Sequence, residues 1–207
     1  MITKPLRRTL KLYRAGATQL AADFWQKLLL QANQPLACQR GCSNCCYQPL
    51  TMTLLDGIIV YQWLADNHLW TSDIQKRFKE TSDRTANLAL EVWMLSMIPC
   101  PLLDSETKAC MAYQARPFVC RIAFSHNEYF CHPHRFMEAM EAAPYEPRKV
   151  SLLALAKMEE ALLKKHRLPR VVLPFATAVL HGEAICTTKA DYMDRAKLIW
   201  LKELRGD

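Results

Sequence analysis

Glycine is scarce in this chain, with five residues in 207, at positions 16, 41, 57, 182 and 206. They lie far apart, so neither a glycine-rich phosphate loop nor a G-x-G-x-x-G turn can be written, which excludes the usual nucleotide-binding and Rossmann methyltransferase signatures. Also missing is any apolar run approaching the ~20 residues of a membrane span, so no membrane association is expected. No apolar h-region stands near Met1, which points away from secretion and toward the cytoplasm. Neither a Ser/His/Asp set nor a pair of catalytic carboxylates stands out, because Asp56, Asp104 and Glu106 all sit where a helix cap or a turn accounts for them. Acidic residues are short in the first 37 positions, where Asp23 alone faces Lys4, Arg7, Arg8, Lys11, Arg14 and Lys27, and most of the formal charge of +7 arises there. Such a segment can meet nucleic acid or an acidic partner. Without interleaved aromatics it reads more simply as a solvated helix face, so nucleic acid is not expected, and a protein partner and the oligomeric state stay open.

Cysteine is what the chain has in plenty. Cys38-Gln-Arg-Gly-Cys42-Ser-Asn-Cys45-Cys46 puts four thiols in nine residues, and Cys100, Cys110, Cys120 and Cys131 follow in a segment rich in Pro, His and Arg. Spacings of two or three residues let a turn aim successive sulfurs at one atom, which is how thiolate sites for zinc and iron–sulfur clusters are built. Two other readings compete. Free cysteines pack as small hydrophobes, which suits Cys186 on its apolar stretch but not eight thiols beside Arg, Asn, Gln and Pro. Disulfides need an oxidising compartment, and the adjacent Cys45 and Cys46 reach disulfide geometry only with strain. Metal binding through Cys38, Cys42, Cys45, Cys46, Cys100, Cys110, Cys120 and Cys131 is therefore the expectation.

With 51% hydrophobic and 23% charged residues, the chain can bury a core as one domain over 1–207. Within it, 38–134 form the cysteine-bearing part, flanked by a basic amphipathic helix (1–37) and C-terminal helices (147–207). From Pro5 to about Asn33, Leu6, Leu10, Tyr13, Ala17, Leu20, Phe24 and Leu28 recur at helical spacing, and Pro35 ends the element. Gly41 allows the cysteine turn a backbone conformation closed to other residues. Thr53-Leu-Leu-Asp56 looks like a capping box opening a helix to about Asn67, and Ser72-Asp-Ile-Gln75 repeats the signal. A continuous stripe of Ile74, Phe78, Thr81, Thr85, Leu88, Val92 and Leu95 then reaches nearly to Pro99. Two long stripes suggest helices packed lengthwise, with the cysteine loops at one end.

Between Pro99 and Pro147 regular structure fades. A polar turn around Ser105 to Lys108 can bring Cys100 to face Cys110, and Pro117 limits any helix near Cys120. Beyond Pro147, Leu152, Leu155, Ala156, Leu162 and Leu163 share a helix face before Pro169. Val171 to Leu173 is a short strand or a buried connector, and Thr188 caps a last helix through Tyr192, Ala196, Ile199 and Trp200. The fold class is mainly α: a helical bundle with a cysteine-rich metal-binding loop region at one end.

Four thiolates around Zn²⁺ or a [4Fe-4S]²⁺ cluster leave a net charge of about −2, which needs N–H donors and cations nearby. Arg116 and Arg121, inside a compact Arg-Pro-Phe-Val-Cys-Arg run, are the candidates to stand behind the sulfurs. Arg40 and Lys108 read equally well as solvated charge. His126, His132 and His134 could each replace a sulfur ligand, though a lone histidine is more often a hydrogen-bonding one. Cys38-x3-Cys42-x2-Cys45 has the spacing of radical S-adenosylmethionine enzymes, yet the helical pattern offers no βα-barrel for that chemistry.

Taken together, these residues resemble the YkgJ-type cysteine-cluster family of zinc- or iron-chelating proteins. Cys38, Cys42, Cys45 and Cys46 match its first cluster, and Cys100-Pro101-Leu102-Leu103-Asp104, Cys110, Tyr113, Arg116-Pro117, Cys120-Arg121 and Cys131 match its second half. Thr53 and Asp56 fit its Thr-x-x-Asp helix start. The resemblance implies a metal site with a structural, metal-handling or redox role. Flagellin lysine N-methylases share the pattern, and through them it implies an alternative: a protein-lysine methyltransferase whose iron–sulfur centre works with S-adenosylmethionine. A third reading is a zinc-stabilised interaction module with a basic surface.

Overall fold

The computed structural model describes residues 4–31, 35–38, 41–132, 146–165 and 170–187. The expected helix from Thr188, together with Arg40 and His134, lies outside the described residues. The α-helices run in chain order α1 (Lys4–Gln31), α2 (Leu54–Asp66), α3 (Ser72–Thr85), α4 (Leu90–Leu95), α5 (Phe118–Arg121), α6 (Glu146–Lys164) and α7 (Phe175–Thr187). Strands β1 (Thr51–Thr53) and β2 (Val172–Pro174) pair antiparallel with Met52 opposite Leu173. The fold is mainly helical, as the periodicity implies.

α2 occupies the centre, with residues 54–61 and Leu64 all buried. It is apolar on nearly every side because it is covered on nearly every side. Its closest neighbour is α7, and the two backbones approach at small residues. A Cβ added to Gly57 would run into the Ala178 carbonyl, and one added to Gly182 would stand 2.9 Å from the Gly57 oxygen. Both helices start from the β1–β2 ladder, where Leu54 N–H donates to the Val171 carbonyl (3.2 Å) and Phe175 N–H to the Leu50 carbonyl (2.8 Å).

α7 has no readable stripe, since Phe175, Ala176, Ala178, Val179, Gly182 and Ile185 bury several of its sides. The sequence pattern therefore gave no helix there, although it is the principal partner of α2. Around this pair, α1 packs along α6 and α3 along α7. The expected lengthwise pairing of the two long stripes is thus replaced by pairings with C-terminal helices. The α1 stripe itself is as expected, with Leu6, Leu10, Tyr13, Ala17, Ala21, Phe24 and Leu28 buried.

The stripe from Ser72 to Pro99 does not form one helix. α3 ends at Thr85, whose hydroxyl donates to the Thr81 (2.9 Å) and Ser82 (3.3 Å) carbonyls, and α4 starts at Leu90. Past the break, Trp93, Met94 and Ile98 are buried while Val92 and Leu95 are exposed. Those apolar groups are out of phase with the stripe, so the chain must turn to bury them. The cap of α3 is also one residue earlier than expected, because the Thr71 hydroxyl accepts from Ile74 N–H at 3.4 Å. Thr53 does cap α2, accepting from Asp56 N–H at 3.3 Å.

Candidate metal centre

After α1, Cys38 and Cys42 lie in irregular backbone, with Gly41 in a turn at φ +87°. That left-handed angle is one that a residue with a Cβ adopts only at a cost. A single 3-10 turn over Asn44–Tyr47 then carries Cys45 and Cys46. The second cysteine segment is joined to it directly, as Cys100 N–H donates to the Cys46 carbonyl at 2.7 Å.

From Cys100 the chain doubles back, as the polar turn implies. Leu103 bridges Cys110 in antiparallel fashion, Asp104 N–H donates to the Ala109 carbonyl (2.9 Å), and Met111 N–H to the Leu102 carbonyl (2.9 Å). The turn is held by the Asp104 carboxylate, which accepts from the Glu106 and Thr107 amides and the Thr107 hydroxyl. Pro117 precedes the one-turn helix α5 rather than preventing it, and its carbonyl accepts from Cys120 N–H at 3.0 Å. Proline suits that place because its fixed φ is compatible with a helix start and a missing N–H costs nothing there.

Cys38 and Cys131 meet through a second set of bonds. Ala37 N–H donates to the Ser125 carbonyl (2.8 Å), and Ser125 N–H donates to the Cys38 sulfur (3.3 Å). The Gln48 amide donates to the Cys131 carbonyl at 3.2 Å. The structure thus draws the thiols into two adjoining neighbourhoods. Cys46 and Cys120 each feel the charge of Cys100 and Cys110, Cys38 and Cys131 each feel that of Cys42, and Cys45 acts on both sets. Cys186 lies apart, half-buried on α7.

Electrostatics differ across the set. The Cys45 thiol is lowered, chiefly through its interaction with the Cys46 thiol, with Arg116 and Arg148 assisting. Cys46 is raised in return. Burial pushes Cys100 up to about 12 and raises Cys120 well above the ordinary thiol range, while Cys38, Cys110 and Cys131 are raised more modestly by the same cause. Desolvation disfavours the anion, so the inner sulfurs are neutral thiols unless a cation compensates them.

Arg116 is placed to do part of that. Its guanidinium stacks over the Tyr113 ring at 3.8 Å, its charge favours the thiolate forms of Cys45, Cys110 and Cys120, and its Nε is buried with no hydrogen-bond partner. Arg121 is turned elsewhere. It donates to the Arg116 carbonyl (2.7 Å) and the Thr18 hydroxyl (3.1 Å), and its charge acts on Asp56. Arg77 looks in sequence like an ordinary charge on α3. It donates to the Leu103 carbonyl at 2.6 Å and favours the Cys100 thiolate. His126 lies against Phe124 with Nδ1 3.2 Å from the Pro35 carbonyl, and His132 is exposed. Among the described residues, no three His, Cys, Asp or Glu side chains stand in a ready ligating group.

Behind the thiols lies a buried polar cluster that leaves no pattern in the sequence, where Asp56 has the look of a capping residue alone. Asp56 accepts from Phe118 N–H at 3.4 Å, at the start of the helix carrying Cys120, and burial raises its carboxyl to about 6. Tyr13 hydrogen-bonds Thr53 at 3.3 Å. Glu159, 1% exposed on the apolar face of α6 between Leu155 and Leu163, pairs with Arg170 at 2.9 Å and is raised to about 7 by burial. The spacing of Leu155, Glu159 and Leu163 was the available signal, because it sets a carboxylate in the middle of a buried stripe.

Residues 37–141, just over half the chain, match a family named CxxCxxCC and described as a "putative zinc- or iron-chelating domain". The chain belongs to this family. In its first cluster the leading spacing is three residues, Cys38 to Cys42, where the CxxCxxCC name has two. No curated protein and no solved structure matches the chain. A zinc- or iron-chelating domain and nine cysteines agree in pointing to metal. The donor chemistry fits: soft thiols supplied with backbone amides and with the Arg116 guanidinium, whose buried Nε has no hydrogen-bond partner. No described helix is long and apolar enough to cross a membrane.

Proposed function

We propose that this chain is a metal-binding protein that holds an iron–sulfur cluster or zinc through Cys38, Cys42, Cys45, Cys46, Cys100, Cys110, Cys120 and Cys131, in a structural, metal-handling or redox role in the reducing cytoplasm. The observation that carries it is the 2.7 Å bond from Cys100 N–H to the Cys46 carbonyl. It fastens two cysteine segments that are far apart in sequence, so Cys46 feels the charge of Cys100 and Cys110. The desolvation of the half-buried Cys100 and Cys120 thiols supports the same reading, because a cation offsets the cost of a desolvated thiolate. The grouping into two neighbourhoods that share Cys45 favours a centre, or two centres, in which Cys45 is the common member.

Anaerobic purification followed by elemental analysis and a visible spectrum tests this. Brown protein with broad absorbance and stoichiometric iron is the iron–sulfur outcome, and colourless protein with stoichiometric zinc is the zinc outcome. Carefully reduced material holding neither metal overturns the proposal.

A further inference from the structure

Outside the cysteine region, a cleft runs between α1 and α2, with a volume of about 740 Å³. One wall is the basic side of α1, where Arg7, Lys11 and Arg14 are exposed. None of the three makes an ion pair among the described residues, in contrast to the Lys76–Glu80 and Arg170–Glu159 pairs elsewhere. The facing wall is α2, which presents Ile59, Trp63 and Asp66. Trp63 is half-buried and packs on the core, which gives the cleft a firm apolar side.

We propose that this cleft binds an acidic amphipathic helical segment of a partner protein. The helical rise puts Lys11 ~6 Å and Arg14 ~10 Å along the axis from Arg7. Carboxylates at i, i+4 and i+7 of a second helix repeat that spacing, and the apolar side of such a helix meets Trp63 and Ile59. Asp66 decides between anions. A nucleic acid carries charge along its whole backbone and would set phosphates against that carboxylate, whereas a peptide confines its acids to the edge facing α1. Three cations also form a short track for a polyanion but a full complement for three carboxylates. This reading does not rest on the metal centre, since no cysteine lines the cleft.

The test uses the full chain and a fluorescein-labelled synthetic helical peptide with Glu at i, i+4 and i+7 and Leu on the adjoining face. A Gln-for-Glu version and a single-stranded oligonucleotide of equal charge serve as comparison probes. Anisotropy titration is expected to show binding of the Glu peptide that weakens with salt and falls about tenfold or more in Arg7→Glu/Lys11→Glu/Arg14→Glu. Arg8→Glu, which alters an exposed charge that does not line the cleft, is expected to change affinity less than about twofold. If the triple variant does not fold by circular dichroism, Arg7→Gln/Lys11→Gln/Arg14→Gln takes its place. No binding of the Glu peptide, equal binding of the Gln peptide, equal loss in Arg8→Glu, or tighter binding of the oligonucleotide would each overturn the proposal.

Discussion

Cys46 offers its carbonyl to the amide of Cys100 across 2.7 Å, and that bond makes neighbours of residues separated by the whole of α2, α3 and α4. The three helices between them form a closed excursion whose two ends carry thiols. The packing of these helices therefore fixes how close the two cysteine segments lie.

If those sulfurs hold metal, losing an inner one matters most. Cys100→Ser and Cys120→Ser are expected to strip most of the bound metal from anaerobically purified protein, because each removes a half-buried, strongly desolvated thiol of the proposed ligand set. Cys186→Ser, on α7 away from the clusters, is expected to leave the metal content unchanged. Elemental analysis of the three variants checks the contrast, and equal losses would count against the ligand set.

Arg116 and Arg121 are expected to separate in their effects. Arg116→Gln removes a charge that favours the thiolates of Cys45, Cys110 and Cys120 and should weaken metal retention about 10- to 100-fold in chelator competition, the usual effect of losing a supporting contact. Arg121→Gln breaks bonds to the Arg116 carbonyl and the Thr18 hydroxyl instead. Its main expected effect is a lower urea midpoint.

Gly57→Ala is expected to cost about 1–3 kcal/mol or more, because its new Cβ meets the backbone of Ala178, which cannot yield without shifting α7. Gly16→Ala also meets an obstacle, but it is the tip of the flexible Met158 side chain. There a gain of about 1 kcal/mol in helix propensity offsets the repacking, and a change near zero is expected. Urea denaturation of both variants decides the matter.

The buried carboxyls predict a pH dependence of definite sign. Glu159 is raised to about 7 and Asp56 to about 6, both by burial, so each binds its proton more tightly in the native state than in the unfolded chain. Their contribution to stability is greatest below the ordinary carboxyl range and is lost as pH climbs through these raised values. Relative to Glu159→Gln, which keeps an acceptor for Arg170, the native chain is expected to lose stability as pH rises from about 4.5 to about 7. Urea midpoints of the two proteins across that range measure it, and because both keep every cysteine, metal effects cancel in the difference.

Periodicity made α1 legible residue by residue, because a helix with one wet side writes its dry side as a stripe. Thr53 was equally plain, since a hydroxyl three residues ahead of an amide at a helix start has few other uses. α7 was not legible, for the opposite reason: with several sides covered there is no polar face to set the phase. The break after Thr85 was hidden by an apolar pattern that carries on through Leu88, Val92 and Leu95, and only the burial of Trp93 and Met94 shows where the chain turns. In the candidate site the thiols announced themselves by spacing. Ser125, Gln48 and Arg77 did not, because a residue that supports another through its backbone or from a distant helix leaves no local mark.

The β1–β2 ladder sets a practical boundary. It hooks the start of α2 to the start of α7, and α7 begins more than thirty residues beyond the end of the family match at 141. A fragment trimmed to the matched segment would therefore strip α2 of the surface that Ala178, Val179 and Ile185 cover, leaving a greasy slab open to water. Expressed alone, such a piece would clump rather than fold, so any minimal version of this protein has to carry its chain through Thr187.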